Sequence, residues 1–253
     1  MIDLSCGCLG ILFTAGVLAG FVDSIAGGGG MITIPALLAV GFPPHLALGT
    51  NKLQSSFGSL TAALNYRSGN MVRFRELTLG ISFTALGAFA GTMTVHVISA
   101  DFLEHMIPAL LVVIFIYMLC NPNLGTVYRP YRIAPWLFYL LFGCLIGFYD
   151  GFFGPGTGTI WTIAFVLWLG FDIKKATAHT KVLNFTSNIV ALVTFTLGGH
   201  VILFPGVTMG LGQIIGAYLG SHLVLKRGTR FVRVFFLCVV AITIAKLLWS
   251  TYN

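Results

Sequence analysis

Charge is the scarcest property of this sequence. Asp, Glu, Lys and Arg make up 8% of its 253 residues, against ~25% in an ordinary soluble domain. So few charges cannot keep the surface of a water-soluble domain hydrated. Acidic residues are the rarer sign, 7 against 14 basic, for a net charge of +7. The five cysteines (Cys6, Cys8, Cys120, Cys144, Cys238) are scattered, and Cys6 and Cys8 have no companion Cys or His cluster. They read as small apolar residues, and no metal site is expected. Nucleotide-binding signatures are missing as well, both Gly-x-x-x-x-Gly-Lys-Ser/Thr and a strand followed by Gly-x-Gly-x-x-Gly. So are His-Glu-x-x-His and the Gly-x-Ser-x-Gly elbow, which argues against a membrane-embedded enzyme. No cofactor is expected.

What fills the sequence is apolar: 57% of residues, with a mean hydropathy of +0.94. Runs at 77–97, 102–119, 133–149, 201–225 and 231–249 each approach the ~20 residues needed to cross ~30 Å of hydrocarbon as a helix. The basic residues are not gathered into one patch. Arg67, Arg73 and Arg75, then Arg129 and Arg132, Lys174 and Lys175, and Lys226, Arg227, Arg230 and Arg233 all fall in short connections between apolar runs. That pattern orients a membrane protein and does not bind nucleic acid. The first run leads into a glycine motif without a small-residue cleavage site, so it reads as a retained span.

The sequence also states one pattern twice. Gly20-Phe21-Val22-Asp23, a glycine run, Gly41-Phe42 and Ala47-Leu48-Gly49-Thr50-Asn51-Lys52 are answered by a second set. That set is Gly147-Phe148-Tyr149-Asp150, another Gly-rich stretch, Gly170-Phe171 and Ala176-Thr177-Ala178-His179-Thr180-Lys181. Five apolar segments per half follow, at 4–22, 31–41, 46–66, 76–98 and 102–119, then 133–149, 157–170, 175–197, 201–225 and 230–249. Segment 31–41 extends only about 17 Å as a helix, too short to cross. It follows Gly27, Gly28, Gly29 and Gly30, and its partner follows Gly154-Pro155-Gly156-Thr157-Gly158. Broken or re-entrant segments are expected here.

Equivalent loops carry opposite charge bias. The basic loop at 67–75 answers to Gly198-Gly199-His200, and the basic loop at 226–233 answers to Ser99-Ala100-Asp101. Equivalent loops therefore belong on opposite sides of the membrane, and the two halves are expected to be inverted repeats. The expected architecture is an all-α polytopic membrane protein of about 8–10 transmembrane helices in two inverted repeats with Gly-rich broken or re-entrant segments. Residues 1–120 form the first repeat, 121–132 a cytoplasmic linker and 133–253 the second repeat, with both termini outside.

Inside the apolar segments, Asp23, Lys52, Asp150, Lys181 and His179 stand out. An Asp or Lys at mid-bilayer costs on the order of 2.5–3.5 kcal/mol, so such groups should face the bundle interior and find partners. In one reading Asp23–Lys52 and Asp150–Lys181 are internal ion pairs that fix packing. In the other, the lysines hold an anion while the aspartates position the glycine turns or couple protons. Lys52, Ser56 and Ser59 share a helix face, as do Lys181, Asn184 and Asn188. With Thr50, Asn51, Gln54, Thr180 and Ser187 they give either interhelical glue or the neutral donors an oxyanion requires beside a cation. Backbone N–H groups at Gly28, Gly29 and Gly156, and helix N-termini after them, suit an anion too. His179 precedes the Thr180-Lys181 pair and invites a proton-coupling role. His45, His96, His105, His200 and His222 are read as interfacial, and Lys246 as snorkelling outward.

These motifs resemble the sulfite exporter TauE/SafE family of bacterial membrane proteins. The likeness rests on Ala19 through Gly30 with Pro35-Ala36-Leu37, and on Thr50-Asn51-Lys52-Leu53-Gln54. It continues through Gly147 to Gly156 and through Lys175 to Asn184. The branch it resembles is that of the probable membrane transporters. The resemblance implies export of sulfur-containing oxyanions, such as sulfite or organosulfonates, across a bacterial inner membrane. The combined expectation is a secondary transporter working by alternating access, with Lys52, Lys181, Asn51, Gln54, Thr180, Asn184, Gly28, Gly29 and Gly156 binding a small anion. Asp23, Asp150 and His179 would couple or position. An anion channel using the same lysines is the rival reading. The expected partners are the small anion, coupling protons and the lipid bilayer, with a homodimer left open.

Overall fold

A computed structural model describes residues 5–99 and 132–227. The architecture is all-α, as the sequence leads one to expect, and among the described residues there is no strand. The helices are α1 (Cys6–Ala26), α2 (Gly30–Ala39), α3 (Pro44–Ser68), a 3-10 turn (Phe74–Leu77) running into α4 (Thr78–Val97), α5 (Pro135–Phe152), α6 (Thr157–Trp168), α7 (Ile173–Leu197) and α8 (Leu203–Lys226). The expected segments at 102–119 and 230–249, and most of the linker, lie outside the described residues.

Local chemistry sets the ends. The Ser5 hydroxyl caps α1 by accepting from the Cys8 N–H, and Asp172 caps α7 by accepting from Lys174 and Lys175 N–H at 2.9 and 3.0 Å. Pro44 and Pro135 sit at the first positions of α3 and α5, where the missing N–H costs nothing. α1 and α5 run past their expected ends at 22 and 149, so that Asp23 and Asp150 lie inside the final turns. The break falls instead at Gly27 and Gly154, whose φ angles are +73° and +100°. Charge did not end these helices; backbone conformations that only glycine adopts freely did.

Among the described residues, four helices are long and apolar enough to cross a membrane: Cys6–Ala26, Phe74–Val97, Pro135–Phe152 and Leu203–Lys226. Their outward faces carry Leu18, Leu86, Phe89, Leu145, Leu211 and Leu219, all exposed. Helices α3 and α7, 25 residues each and therefore ~37 Å long, are enclosed by the others. They bury Lys52, Gln54, Ser59, Lys181, Asn184 and Asn188. An apolar rim around a polar centre reverses the soluble pattern and is the arrangement of a polytopic membrane protein. The short α2 and α6 extend only ~15 and ~18 Å.

Helices α1 and α5, each opening one half, pack on the long apolar helix of the other half. α1 lies parallel to α8, with Gly16 against Met209 and Gly20 against Gln213; α5 lies parallel to α4, with Gly147 against Thr84 and Gly151 against Ala88. Both seams are lined by glycines, the means by which membrane helices approach closely. A Cβ on Gly216 would lie 2.0 Å from the Val17 carbonyl oxygen. Gly216→Leu is therefore expected to part α1 from α8 at a cost of ~1–3 kcal/mol, read as a lower Tm in detergent. Gly10→Leu, which faces open space, should leave Tm unchanged.

Helices α3 and α7 are antiparallel. The start of α3 meets the end of α7, since a Cβ on Gly49 would touch the His200 carbonyl, whereas Gly69 beyond the end of α3 meets Leu225 of α8. Lys174, at the start of α7, reaches the Leu225 carbonyl at 3.5 Å. Arg67, Lys174, Lys175 and Lys226 thus gather at one end of the bundle, and His45, His96 and His200 at the other.

Candidate functional site

The two glycine turns meet at the centre. A Cβ on Gly27 would lie 2.4 Å from the Gly158 carbonyl carbon, and one on Gly30 would lie 3.1 Å from Pro155 Cα. The Thr159 hydroxyl bridges the same junction, donating toward the carbonyls of Ala26 (3.0 Å) and Gly27 (2.9 Å). The N-terminal ends of α2 and α6 are brought together in this way.

The four charges flank this junction, paired otherwise than the packing-only reading supposed. Lys52 Nζ contacts Asp150 Oδ1 at 2.7 Å, and Lys181 Nζ contacts Asp23 Oδ2 at 2.8 Å. Each lysine reaches the carboxylate of the other half. Asp23–Lys52 and Asp150–Lys181, pairs within a half, do not form. The reason is topological: α1 and α5 have exchanged sides to pack on α8 and α4, so each brings its carboxylate to the opposite lysine helix.

The pairs are not equivalent. Lys52 also donates to the Asp150 main-chain carbonyl, and Ser187 Oγ donates to Asp150 Oδ2. Asp23 instead accepts from Gly28 N–H (3.1 Å) and Gly29 N–H (3.3 Å), so it ties down its own glycine turn. The Asp150 side chain is 4% exposed and the Asp23 side chain 21%, which makes Asp23 the wetter carboxylate. Glycine lets the backbone press on both ammonium groups. A Cβ on Gly154 would lie 2.7 Å from Lys52 Nζ, and one on Gly158 would lie 3.2 Å from Lys181 Nζ.

Between the carboxylates lies a cavity of about 20 Å³ whose lining is mainly polar, in volume enough for a water molecule. Of the residues singled out in the sequence, Asp23, Gly28, Asn51, Asp150, Gly156 and Asn184 line it. Lys52, Lys181, Gln54, Thr180, Gly29 and His179 do not. The lysines stand behind their carboxylates, both fully buried. Gln54 donates to Asn51 Oδ1 at 2.6 Å, and Thr33 donates to the same oxygen at 2.6 Å. Asn184 keeps Oδ1 buried without a partner. Thr180 lies 3.2 Å from the Thr162 hydroxyl. The His179 ring stands edge-on to Phe171 (4.9 Å) and Phe165 (5.7 Å), with Nδ1 2.8 Å from the Lys175 carbonyl. It belongs to an aromatic packing cluster away from the cavity.

Two lining residues, Ser55 and Gln213, escaped the sequence reading. Gln213 of α8 donates to Gln54 Oε1 at 2.5 Å. Its carboxamide sits in a notch left by two glycines, where a Cβ on Gly58 or Gly20 would lie 2.2 or 2.9 Å from Gln213 Oε1. Its counterpart across the other seam is Thr84, so the repeat could not reveal it. The available signal was a lone amide in an otherwise apolar helix. Gln213→Leu is expected to leave Gln54 Oε1 without its donor and cost ~1–3 kcal/mol; a Tm equal to wild type would show that this oxygen finds another partner.

An apolar-rimmed helical bundle with charged residues and broken helices converging on a central polar cavity defines a membrane transporter. Comparison with known proteins agrees: the family model described as Sulfite exporter TauE/SafE matches residues 12–247, and the chain belongs to that family. It is 45% identical over 245 residues to the probable membrane transporter protein YfcA of Escherichia coli K12, covering 97% of this chain and 91% of that one. It is also 45% identical over 231 residues to a probable membrane transporter protein of Haemophilus influenzae, covering 91% of each. The likeness to the probable membrane transporter protein YunE of Bacillus subtilis is 24% over 249 residues, covering 87% and 90%. No solved structure matches the chain.

Proposed function

We propose that the protein is a secondary transporter that exports small sulfur oxyanions, of the sulfite or organosulfonate kind, across a bacterial inner membrane. The observation that carries this reading is the pair of crossed ion pairs around a polar cavity: Lys52 with Asp150 and Lys181 with Asp23, each joining one half to the other. With no anion present the ammonium groups are neutralised by the carboxylates. An arriving oxyanion competes for those cations, and a proton on Asp23 or Asp150 would release the lysine to it. Asn51, Asn184 and the glycine N–H groups supply neutral donors around the anion. Because each ion pair bridges the halves, remaking them lets one half rock against the other, the movement alternating access requires. The small, mainly polar cavity between the carboxylates favours a carrier over an open anion channel.

The test is sulfite and methanesulfonate flux into proteoliposomes. Wild-type protein should carry at least one of them, and Lys52→Ala/Lys181→Ala should abolish that flux while the protein still inserts and runs as a folded species. Unchanged flux in the double variant would falsify the assignment of the lysines.

A further inference from the structure

At the end of the bundle away from the basic residues, three histidines from three separate elements come together. His45 stands in the first turn of α3, His96 in the last turn of α4, and His200 in the turn joining α7 to α8. The His200 ring lies 5.2 Å from that of His45 and 5.0 Å from that of His96, centroid to centroid. His45 Nδ1, His96 Nε2 and His200 Nδ1 are all buried, and none has a hydrogen-bond partner. Phe195 of α7 packs against His96 at 5.3 Å and His200 at 6.5 Å. Gly198 closes the cluster from below, since a Cβ there would lie 2.4 Å from His96 Cε1.

The surroundings narrow what this cluster binds. Among the described residues, the groups acting on His45 and His200 are the neighbouring rings and the Ile98 main chain beside His45. Among the described residues no carboxylate, lysine or arginine pairs with any of them. No group of three His, Cys, Asp or Glu among the described residues is placed to hold a metal ion. Three imidazoles with unused ring nitrogens and no metal geometry leave the proton as the ligand their chemistry takes at ordinary pH. Burial, with His96 and His45 alongside, holds His200 below the usual imidazole value of 6.5. Packing therefore disfavours a proton on His45 and His200, and an arrangement that separates their rings takes one up more readily. By linkage, acid favours separation.

Separation here reaches the transport site. The start of α3 and the turn after α7 are joined at this point, with Ile202 N–H donating to Thr50 Oγ1 at 3.1 Å. Lys52 lies two residues further along, ~10 Å from His45 along the helix. We propose that His45, His96 and His200 form a proton-binding site whose loading draws the start of α3 away from the α7–α8 turn and opens the anion site at this end. The opening step rests on the anion-transport reading; the proton site does not.

Two measurements on the full chain separate the two. In lipid nanodiscs, wild-type Tm should fall as pH drops below about 6.5, because a histidine with a lowered folded pKa holds fewer protons than the unfolded chain in that window. The fall should level off once the folded value is passed, and His45→Gln/His96→Gln/His200→Gln should make it shallower than in wild type. His200→Gln alone, which removes the ring touching both others, should give most of that change if the triple variant does not fold. In proteoliposomes, flux of methanesulfonate, a permanent anion in this range, should rise at least threefold from pH 7.5 to 5.5 in wild type and not in the variant. Equal Tm profiles for wild type and variants overturn the proton site. Measurable but pH-independent flux overturns its role in opening. A Tm difference with no flux at any pH upholds the proton site and overturns the transport reading instead.

Discussion

Lys52→Met should lower stability by ~3–5 kcal/mol, because it leaves the Asp150 carboxylate charged, buried and answered, among the described residues, by the Ser187 hydroxyl alone. Adding Asp150→Leu should return most of that loss, since replacing both partners of a buried ion pair by apolar groups is often neutral. Flux should be absent from both variants. Thermal unfolding of the two singles and the double gives the coupling directly. The pairing across halves is what is at stake. If Asp23→Leu rescued Lys52→Met and Asp150→Leu did not, the lysines would be paired within their own halves and the crossed geometry would be wrong. Asp150→Asn should also be costlier than Asp23→Asn, because Asp23 keeps two backbone N–H donors and more solvent.

The second large effect falls on a glycine. Gly27→Val is expected to cost ~2–6 kcal/mol, the sum of positive-φ strain and overpacking against backbone, and to eliminate flux. Its Cβ would lie 2.4 Å from the Gly158 carbonyl carbon and 2.5 Å from Thr159 N, so the two turns could no longer touch. Gly41→Ala is the matched control: its φ of +88° is also positive, but nothing lies within 4 Å of its Cβ. It should show the strain alone, with flux retained. Similar losses in both variants would mean that the contact between turns carries nothing.

Much of this was legible in the sequence, for reasons that also explain what was not. Asp23, Lys52, Asp150 and Lys181 are conspicuous because charge is so expensive in an apolar helix, and the doubled motif placed them in register. The short α2 and α6 were visible as runs too brief to cross. The partners of the lysines were not visible. Spacing suggests the nearer aspartate within each half, whereas the observed pairs are decided by α1 packing on α8 and α5 on α4, contacts that lie 193 residues apart at Gly16–Met209 and 63 apart at Gly147–Thr84. His179 misled for a related reason. It adjoins Lys181 in sequence but points to another side of α7, where Phe165 and Phe171 enclose it. His45, His96 and His200 looked like unrelated interfacial residues because only the fold brings three helix ends to one place. Gln213 carried a signal in its isolation, but the repeat pointed elsewhere.

The two crossed pairs have an electrical consequence. Two ammonium and two carboxylate groups sum to zero, so under the alternating access proposed above the unloaded centre would carry no net charge through the membrane field. A potential acts at ~2.3 kcal/mol per elementary charge per 100 mV, and in such a cycle it would find nothing to act on during the return stroke. Voltage would then govern only the loaded stroke, where the sum of cargo and co-transported protons sets its sign.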